Sequence, residues 1–472
     1  MPSSSNPIRA KKSIMTSRLS AALDKCKISD RDAVHLLTAA AESFQVNCLE
    51  FTINRSTIKR ARENFRKQSS EAIKSTFIDQ NLNYVIVHWD SKLLPDILSK
   101  ENIDRLPVIV SASNVEKLLG VPALTSGTGE KISSAVHNLL LDWNLVDKVQ
   151  AFVFDTTASN SGRLNGACVL LEQLLNRDIL FFACRHHIFE IVLQAVFAHV
   201  KITVMNGPDI PLFKRFKNHW KNIDLSNFRI FSTFQHSHTN LKDVANNISL
   251  FCIQRLNDNF PRDDYREFLE LVLIFLGGSP PRGIKFRQPG AYHLARWMAK
   301  AIYCIKILLF SDQFKITTRE QNSLDEVCCF IVKCYIQEWI TAPNPVTAPM
   351  NDLLFLKKLK NYNGKLGEVA IRKFINHLWY LNEECAVFSI FDDRVNNETK
   401  QRMAKYILEG KEQYTHPSTW KDIEEYRQAK EVISSLKIVN DAAERGVKLM
   451  EEYNQKFSKN EEQKQFTLQR KK

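Results

Sequence analysis

Two aspartates each close an apolar run. Asp90 follows Tyr84-Val85-Ile86-Val87-His88-Trp89, and Asp155 follows Val149-Gln150-Ala151-Phe152-Val153-Phe154. Runs of this length and composition predict buried strands. If the second strand lies beside the first, the two carboxylates face each other at the carboxyl edge of a sheet. Like charges held that close repel unless a cation neutralises them, so the pair suits a divalent metal. A third carboxylate would complete a two-metal site, with one ion generating hydroxide and the other stabilising the leaving oxygen during phosphodiester cleavage. The plain alternative is scaffold, because Asp is common at strand ends. Ser159 and His186 could suggest a hydrolase, but no GxSxG elbow accompanies them.

The surrounding sequence supplies a scaffold for this pair. Leu106-Pro107-Val108-Ile109-Val110 predicts a second strand, and Leu118 to Leu124 a short third one. Ile132, Ala135, Val136, Leu139, Leu140 and Trp143 recur at helical spacing. After the Asp155 strand, Leu164, Cys168, Leu171 and Leu175 fit a helix, Ile179 to Ala183 a fifth strand, and His187 to Val200 another helix. The order is β-β-β-α-β-α-β-α, with Asp at the end of strands one and four. Beyond Val200 the strand signal fades. Helices are expected at Pro211 to Ile223, Asp264 to Leu276, His293 to Phe310, Ser323 to Ile340 and Lys373 to Asn382. Helical pattern returns from Glu424 to Tyr453, and a charged tail succeeds it. Four regions result: a helical, basic N-terminal region (1–80), a first part of an α/β core (81–200), an α-helical insertion (201–430), and a return to the core with a tail (431–472).

Composition sets outer bounds. The 472 residues carry 65 Lys+Arg against 52 Asp+Glu, a formal charge of +13, with 44% hydrophobic residues, 29 Phe and 14 Gly. That is a core-forming chain, which excludes disordered and collagen-like classes. No apolar run approaches the roughly 18 residues of a membrane span. Ten cysteines without a CxxC pair are expected to be reduced thiols in an intracellular protein. The positive excess suits a polyanion, although many soluble proteins are basic.

The N-terminal 80 residues hold 14 Lys/Arg and 8 Asp/Glu. Asp30 opens one helical run, and Asn54 or Ser56 caps a second that contains Lys59, Arg60 and Arg62. Two short helices, the second this basic, resemble a helix-turn-helix reader of DNA; a solvated accessory bundle is the alternative. Cations also interleave with aromatics in Phe213-Lys214-Arg215-Phe216-Lys217-Asn218-His219-Trp220-Lys221. Lys214, Arg215, Lys217 and Trp220 suit phosphate contact with stacking on an extruded base, or else an amphipathic helix with an aromatic core side. Arg296 and Trp297, near His293 and Lys300, form a second candidate of this kind.

Several local sequences resemble the hAT-type branch of cut-and-paste DNA transposases, whose catalytic domain has a ribonuclease H-like fold. Phe154-Asp155-Thr156-Thr157-Ala158-Ser159-Asn160-Ser161-Gly162 resembles that branch's second catalytic Asp and its loop. Cys184-Arg185-His186-His187 is similar to the CxxH motif after the fifth strand, and Ala442-Ala443-Glu444-Arg445 resembles the Glu-Arg signature that closes the domain. A long helical insertion is a family trait as well. The resemblance spans residues 82 to 455. It implies a ribonuclease H-like mixed sheet interrupted by a large all-α insertion, with Asp90, Asp155 and Glu444 as catalytic residues and ligands of two Mg2+ or Mn2+ ions. Asp441 shares a helical face with Glu444 and is the fallback; Glu424 and Glu425 also compete. Cys184 and His187 are expected to support the site, since two ligands do not make the four of a structural zinc site.

The resemblance accordingly implies a transposase-like DNA recombinase of the nucleus that acts on double-stranded DNA. A homo-oligomer, no membrane and no small-molecule cofactor are expected with it. The N-terminus departs from the family, whose zinc finger of paired Cys and His is not matched by Cys26, Cys48 and His35. The rival expectation is therefore a domesticated or decayed transposase derivative, a nuclear DNA-binding or interaction protein without catalysis.

Overall fold

Apolar runs with β-branched and aromatic residues pair into one mixed five-stranded sheet. Its strands are β1 (Val85–Trp89), β4 (Val108–Ala112), β5 (Val115–Gly120), β7 (Val149–Phe154) and β8 (Leu180–Ala183), in the order β5-β4-β1-β7-β8. β5, β4 and β1 are antiparallel neighbours, while β1, β7 and β8 run parallel. All five residues of β1 and of β4 are buried, as expected for strands covered on both faces. The rest of the chain is mostly helical. The computed structural model describes residues 12–80, 82–95, 102–112, 115–202, 209–231, 241–260, 262–291, 298–362, 364–407, 423–442 and 445–446.

Two units are distinguished, Met1–Asn83 with Leu141–Leu145 and Val447–Lys472, and Tyr84–Leu140 with Val146–Gly446. In the first, helices α1 (Ser17–Lys25), α2 (Asp30–Ser43) and α3 (Arg55–Ile78) enclose Met15, Leu23, Ala33, Leu37 and Ile58. Thr16, Ser29 and Asn54 cap them through their side chains. The expected pair of short helices is corrected here. Eleven residues separate α2 from α3, and α3 runs for 24 residues. The tight turn lies instead between α1 and α2.

The second unit holds the sheet and a large helical region. A small antiparallel sheet of β2 (Lys92–Pro95), β3 (Asn102–Arg105) and β6 (Ala123–Leu124) adds to the expected strands. The expected third strand is two, β5 and β6, divided at Pro122, which cannot donate to a ladder. Helix α4 (Gly129–Asp142) precedes β7. A short turn α5 (Ala158–Ser161) and helix α6 (Ala167–Leu175) come after it, and α7 (Arg185–Val200) leaves β8. Leu164 is not on α6 but 80% exposed, because the glycine loop Gly162–Gly166 delays the helix start.

Helices α8 (Pro211–His219), α9 (Lys242–Arg255), α10 (Asp263–Phe275), α11 (Ala299–Leu309), α12 (Thr318–Phe330), α13 (Ile336–Thr341), α14 (Ala348–Asn361) and α15 (Lys365–Phe374) come next. A π-helical segment, Ile331–Tyr335, joins α12 to α13. Together with α7, this region shares one extensive core that includes Phe213, Phe216, Phe268, Tyr303 and Trp339. The helix expected at 373–382 ends at Phe374; beyond it lie two 3-10 turns separated by extended Leu378. The extension is held where buried Asp352 accepts the Trp379 backbone N–H at 2.8 Å.

Short α16 (Glu383–Ala386) and helices α17 (Asn397–Ile407) and α18 (Glu424–Ser435) complete the helical elements. The continuous helix expected from 424 to 453 is interrupted, with residues 436–441 non-helical. Ile438 there is fully buried among Ile86, Ala151, Val153 and Phe182 of the sheet and Trp379, Cys385 and Phe388. Packing on the sheet outweighs the local helical preference.

Candidate functional site

β1 and β7 are paired in parallel, with His88 opposite Val153. Continuing that register by two residues sets Asp90 opposite Asp155 on strands about 4.8 Å apart. The intervening pair, Trp89 and Phe154, stacks with ring centroids 6.0 Å apart and an interplanar angle of 18°. Strand alternation then sends both aspartates to the other face, on the same side as each other. Both are half-buried.

The Asp155 carboxylate is oriented by its own loop. Its Oδ1 accepts the Thr157 backbone N–H at 3.0 Å, the Thr157 hydroxyl at 2.6 Å and the Asn160 amide at 2.7 Å. Asn160 Oδ1 in turn accepts the indole N–H of Trp89 at 2.9 Å. Glycines keep the loop compact. A Cβ on Gly129 would meet Asn165 O at 2.1 Å, and one on Gly166 would meet Gly162 O at 2.4 Å.

Cys184 occupies the N-cap position of α7, and its thiol is fully buried. Its backbone N–H donates to Phe154 O at 2.8 Å, which prolongs the β7–β8 pairing, and its Sγ accepts the Asn440 N–H at 2.9 Å. Burial pushes the Cys184 thiol up to about 12. His187, half-buried, is held below the ordinary imidazole range by burial, against the pull of Asp155 and Glu190. Neighbouring His186 is buried and stacks on Trp339 at 4.0 Å; burial lowers it to about 3. It sits in the helical core, donating from Nε2 to Trp339 O and accepting the Tyr265 hydroxyl at Nδ1.

Glu444 lies outside the described residues, but its flanks are placed. The Asn440 amide donates to Trp89 O, one residue before Asp90. A Cβ on Gly446 would lie 3.8 Å from Pro107 Cβ, and Pro107 O accepts the Asp90 N–H at 3.4 Å. The segment therefore reaches the Asp90 end of the sheet. Asp441 is buried beside Arg445, at 3.4 Å, and Arg445 also pairs with Glu116. Glu424 and Glu425 open α18.

The other sequence candidates fall elsewhere. Arg62 is buried and corrected to a structural role: it donates to Asp24, Asp30 and Ile28 O within the first unit. Burial alone would raise the Asp24 carboxyl, yet Arg66 and Arg62 hold it below its ordinary value. Lys59 and Arg60 remain on the exposed face of α3, Lys59 3.8 Å from Glu63. Trp220 is corrected likewise. It is only 9% exposed, its ring edge-on to Phe216 and Phe310 with Lys306 above, and so cannot stack on a base without leaving its core.

On α8, Lys214 is exposed, Arg215 pairs with Glu320 at 2.8 Å, and Lys217 donates to Gly290 O at 3.0 Å. Lys300 is buried, 3.6 Å from Glu190. His293, Arg296 and Trp297 lie outside the described residues. Asn160 and Asn440 join the site without a sequence signal of their own, save that Asn160 stands five residues after Asp155.

The donor set of Asp90 and Asp155 is hard oxygen, which fits Mg2+ or Mn2+. Among the described residues no group of three His, Cys, Asp or Glu could hold a metal ion. Among them, too, no helix is long and apolar enough to cross a membrane. No protein-family model matches the chain, and no curated protein matches it.

Proposed function

We propose that the chain is a transposase-like DNA recombinase with a ribonuclease H-like catalytic core of the hAT type, in which Asp90, Asp155 and Glu444 hold two Mg2+ or Mn2+ ions. The observation that carries this reading is the sheet itself. Three antiparallel strands followed by two parallel ones, in the order β5-β4-β1-β7-β8, are what such a core calls for, and the two aspartates end the adjacent central strands. Carboxylates that converge from neighbouring strand ends would need a cation to offset their repulsion. When bound, the ions would activate the attacking oxygen and stabilise the leaving one at a phosphodiester.

The chain's own residues have distinct tasks. Asp90 and Asp155 supply ligand oxygens from rigid strand ends. Thr157 and Asn160 hold the Asp155 carboxylate, and Cys184 anchors the segment that leads to Glu444. Lys59, Arg60, Lys214 and Lys217 would meet the phosphate backbone of double-stranded DNA, and holding two DNA ends together calls for a homo-oligomer.

The test is plasmid nicking by the full chain in Mg2+ or Mn2+, with DNA binding measured alongside. Nicking lost in Asp155→Ala while binding persists supports the reading. Nicking retained in that variant overturns it. Salt-dependent binding without any nicking by the natural chain assigns it instead to the decayed, non-catalytic class.

A further inference from the structure

We propose that Trp89 and Asn160 are a positioning pair that fixes the Asp155 carboxylate and couples it to the segment preceding Glu444. The inference rests on the metal-dependent reading above. Its physical basis is the donor inventory of the groups involved. An indole N–H only donates, so Asn160 must turn Oδ1 towards Trp89, at 2.9 Å. The amide nitrogen is thereby aimed at Asp155 Oδ1, at 2.7 Å. With both Thr157 donors on the same oxygen, rotation of the carboxylate would break three hydrogen bonds at once. Among the described residues Oδ2 accepts no hydrogen bond, and it is the oxygen left to a ligand.

Trp89 is itself closely packed. It is 1% exposed, edge-on to Phe152 at 5.4 Å and stacked on Phe154. Its carbonyl accepts the side chain of Asn440, whose backbone N–H is spent on Cys184 Sγ. Trp89, Asn160, Cys184 and Asn440 are all buried, so none of these bonds competes with bulk water. One indole therefore contacts the Asp155 loop through its ring nitrogen, while the carbonyl of the same residue contacts the C-terminal segment. It also precedes Asp90 in the chain. The arrangement is that of outer partners that orient metal-ligating groups, whose loss costs about 10–100-fold in metal affinity.

The experiment titrates Mn2+ alone into the full chain by calorimetry, with thermal unfolding recorded on the same samples. Asn160→Ala is expected to weaken Mn2+ binding by about tenfold or more. Trp89→Phe keeps an aromatic ring in the core and deletes the donor, with some loss of packing volume that the unfolding temperature reads, so it should weaken binding by a smaller factor; it also carries the test if Asn160→Ala does not fold. A merely structural role would lower the unfolding temperature of both variants and leave Mn2+ affinity unchanged, which overturns the proposal. Absence of Mn2+ binding by the natural chain would instead remove the metal-dependent reading, and this inference with it. Thr157→Val, which deletes one further donor to the same oxygen, should fall in line with Asn160→Ala.

Discussion

Arg185 Nη1 lies 2.7 Å from Asp352 Oδ1, and both side chains are buried. The guanidinium also sits over Phe189 and Trp379, at 5.2 and 5.4 Å. This ion pair joins the start of α7, where β8 ends, to α14 in the helical region. Burial raises the Asp352 carboxyl even against the pull of Arg185, so the pair depends on both members. Asp352→Ala should cost about 3–5 kcal/mol by stranding a buried charge. The double change Arg185→Met, Asp352→Leu should recover much of that loss in chemical denaturation.

Acid should destabilise the fold in a defined window. Burial lowers His186 to about 3 and His88 well below the imidazole range, the latter with Arg445 and Lys437 adding repulsion. The native state therefore leaves both uncharged where the unfolded chain binds protons, below about pH 6.5. Their stability contribution is complete above that pH and is lost as pH falls from there towards 3. Unfolding midpoints measured between pH 7 and 4 should decline, and His186→Phe should flatten the slope.

Divalent cations should raise the stability of the natural chain. A ligand present at 100 times its dissociation constant adds about 2.7 kcal/mol when it binds only the folded state. Thermal unfolding with and without Mg2+ or Mn2+ reads this directly. Asp90→Asn combined with Asp155→Asn should abolish the increment and leave the metal-free protein folded.

Gly129→Ala should disturb the loop that orients Asp155. The added methyl would meet the backbone of Asn165, Ala167 and Ser159, none of which can swing away as a side chain would. Overpacking of this kind costs about 1–3 kcal/mol, read as a lower unfolding midpoint. Gly290→Ala serves as a control, since nothing lies within 4 Å of a Cβ there and its φ is outside the left-handed region.

Trp220→Ala should behave as a core deletion. Loss of an aromatic side chain from a packed interior costs about 3–5 kcal/mol. The unfolding midpoint should fall accordingly. Trp220→Phe should restore most of it, an outcome that a base-stacking role confined to the DNA complex would not produce.

The continuous apolar runs at 84–89, 106–110, 149–154 and 179–183 are legible as strands because burial on both faces demands apolar residues throughout. Asp90 and Asp155 are legible as strand ends for the same reason, since a charge stops such a run. The β2–β3 ribbon is not, because its short strands, Lys92–Pro95 and Asn102–Arg105, carry little periodic signal. Residues 424–453 have the spacing of one helix because helical spacing is a local property. The break at 436–441 comes instead from contact with a sheet built over 250 residues earlier.

The site residues divide in the same way. Residue type and local order are enough to place two carboxylates at strand ends in a basic, largely helical α/β protein. It takes the folded chain to make β1 and β7 neighbours, to spend Trp220 and Arg62 on packing and ion pairs, and to bring Trp89, Asn160 and Asn440 together behind Asp155. Hydrogen-bond partners 71 and 351 positions apart in the chain leave no periodic trace in it. They arise when the sheet closes and each buried donor must find an acceptor.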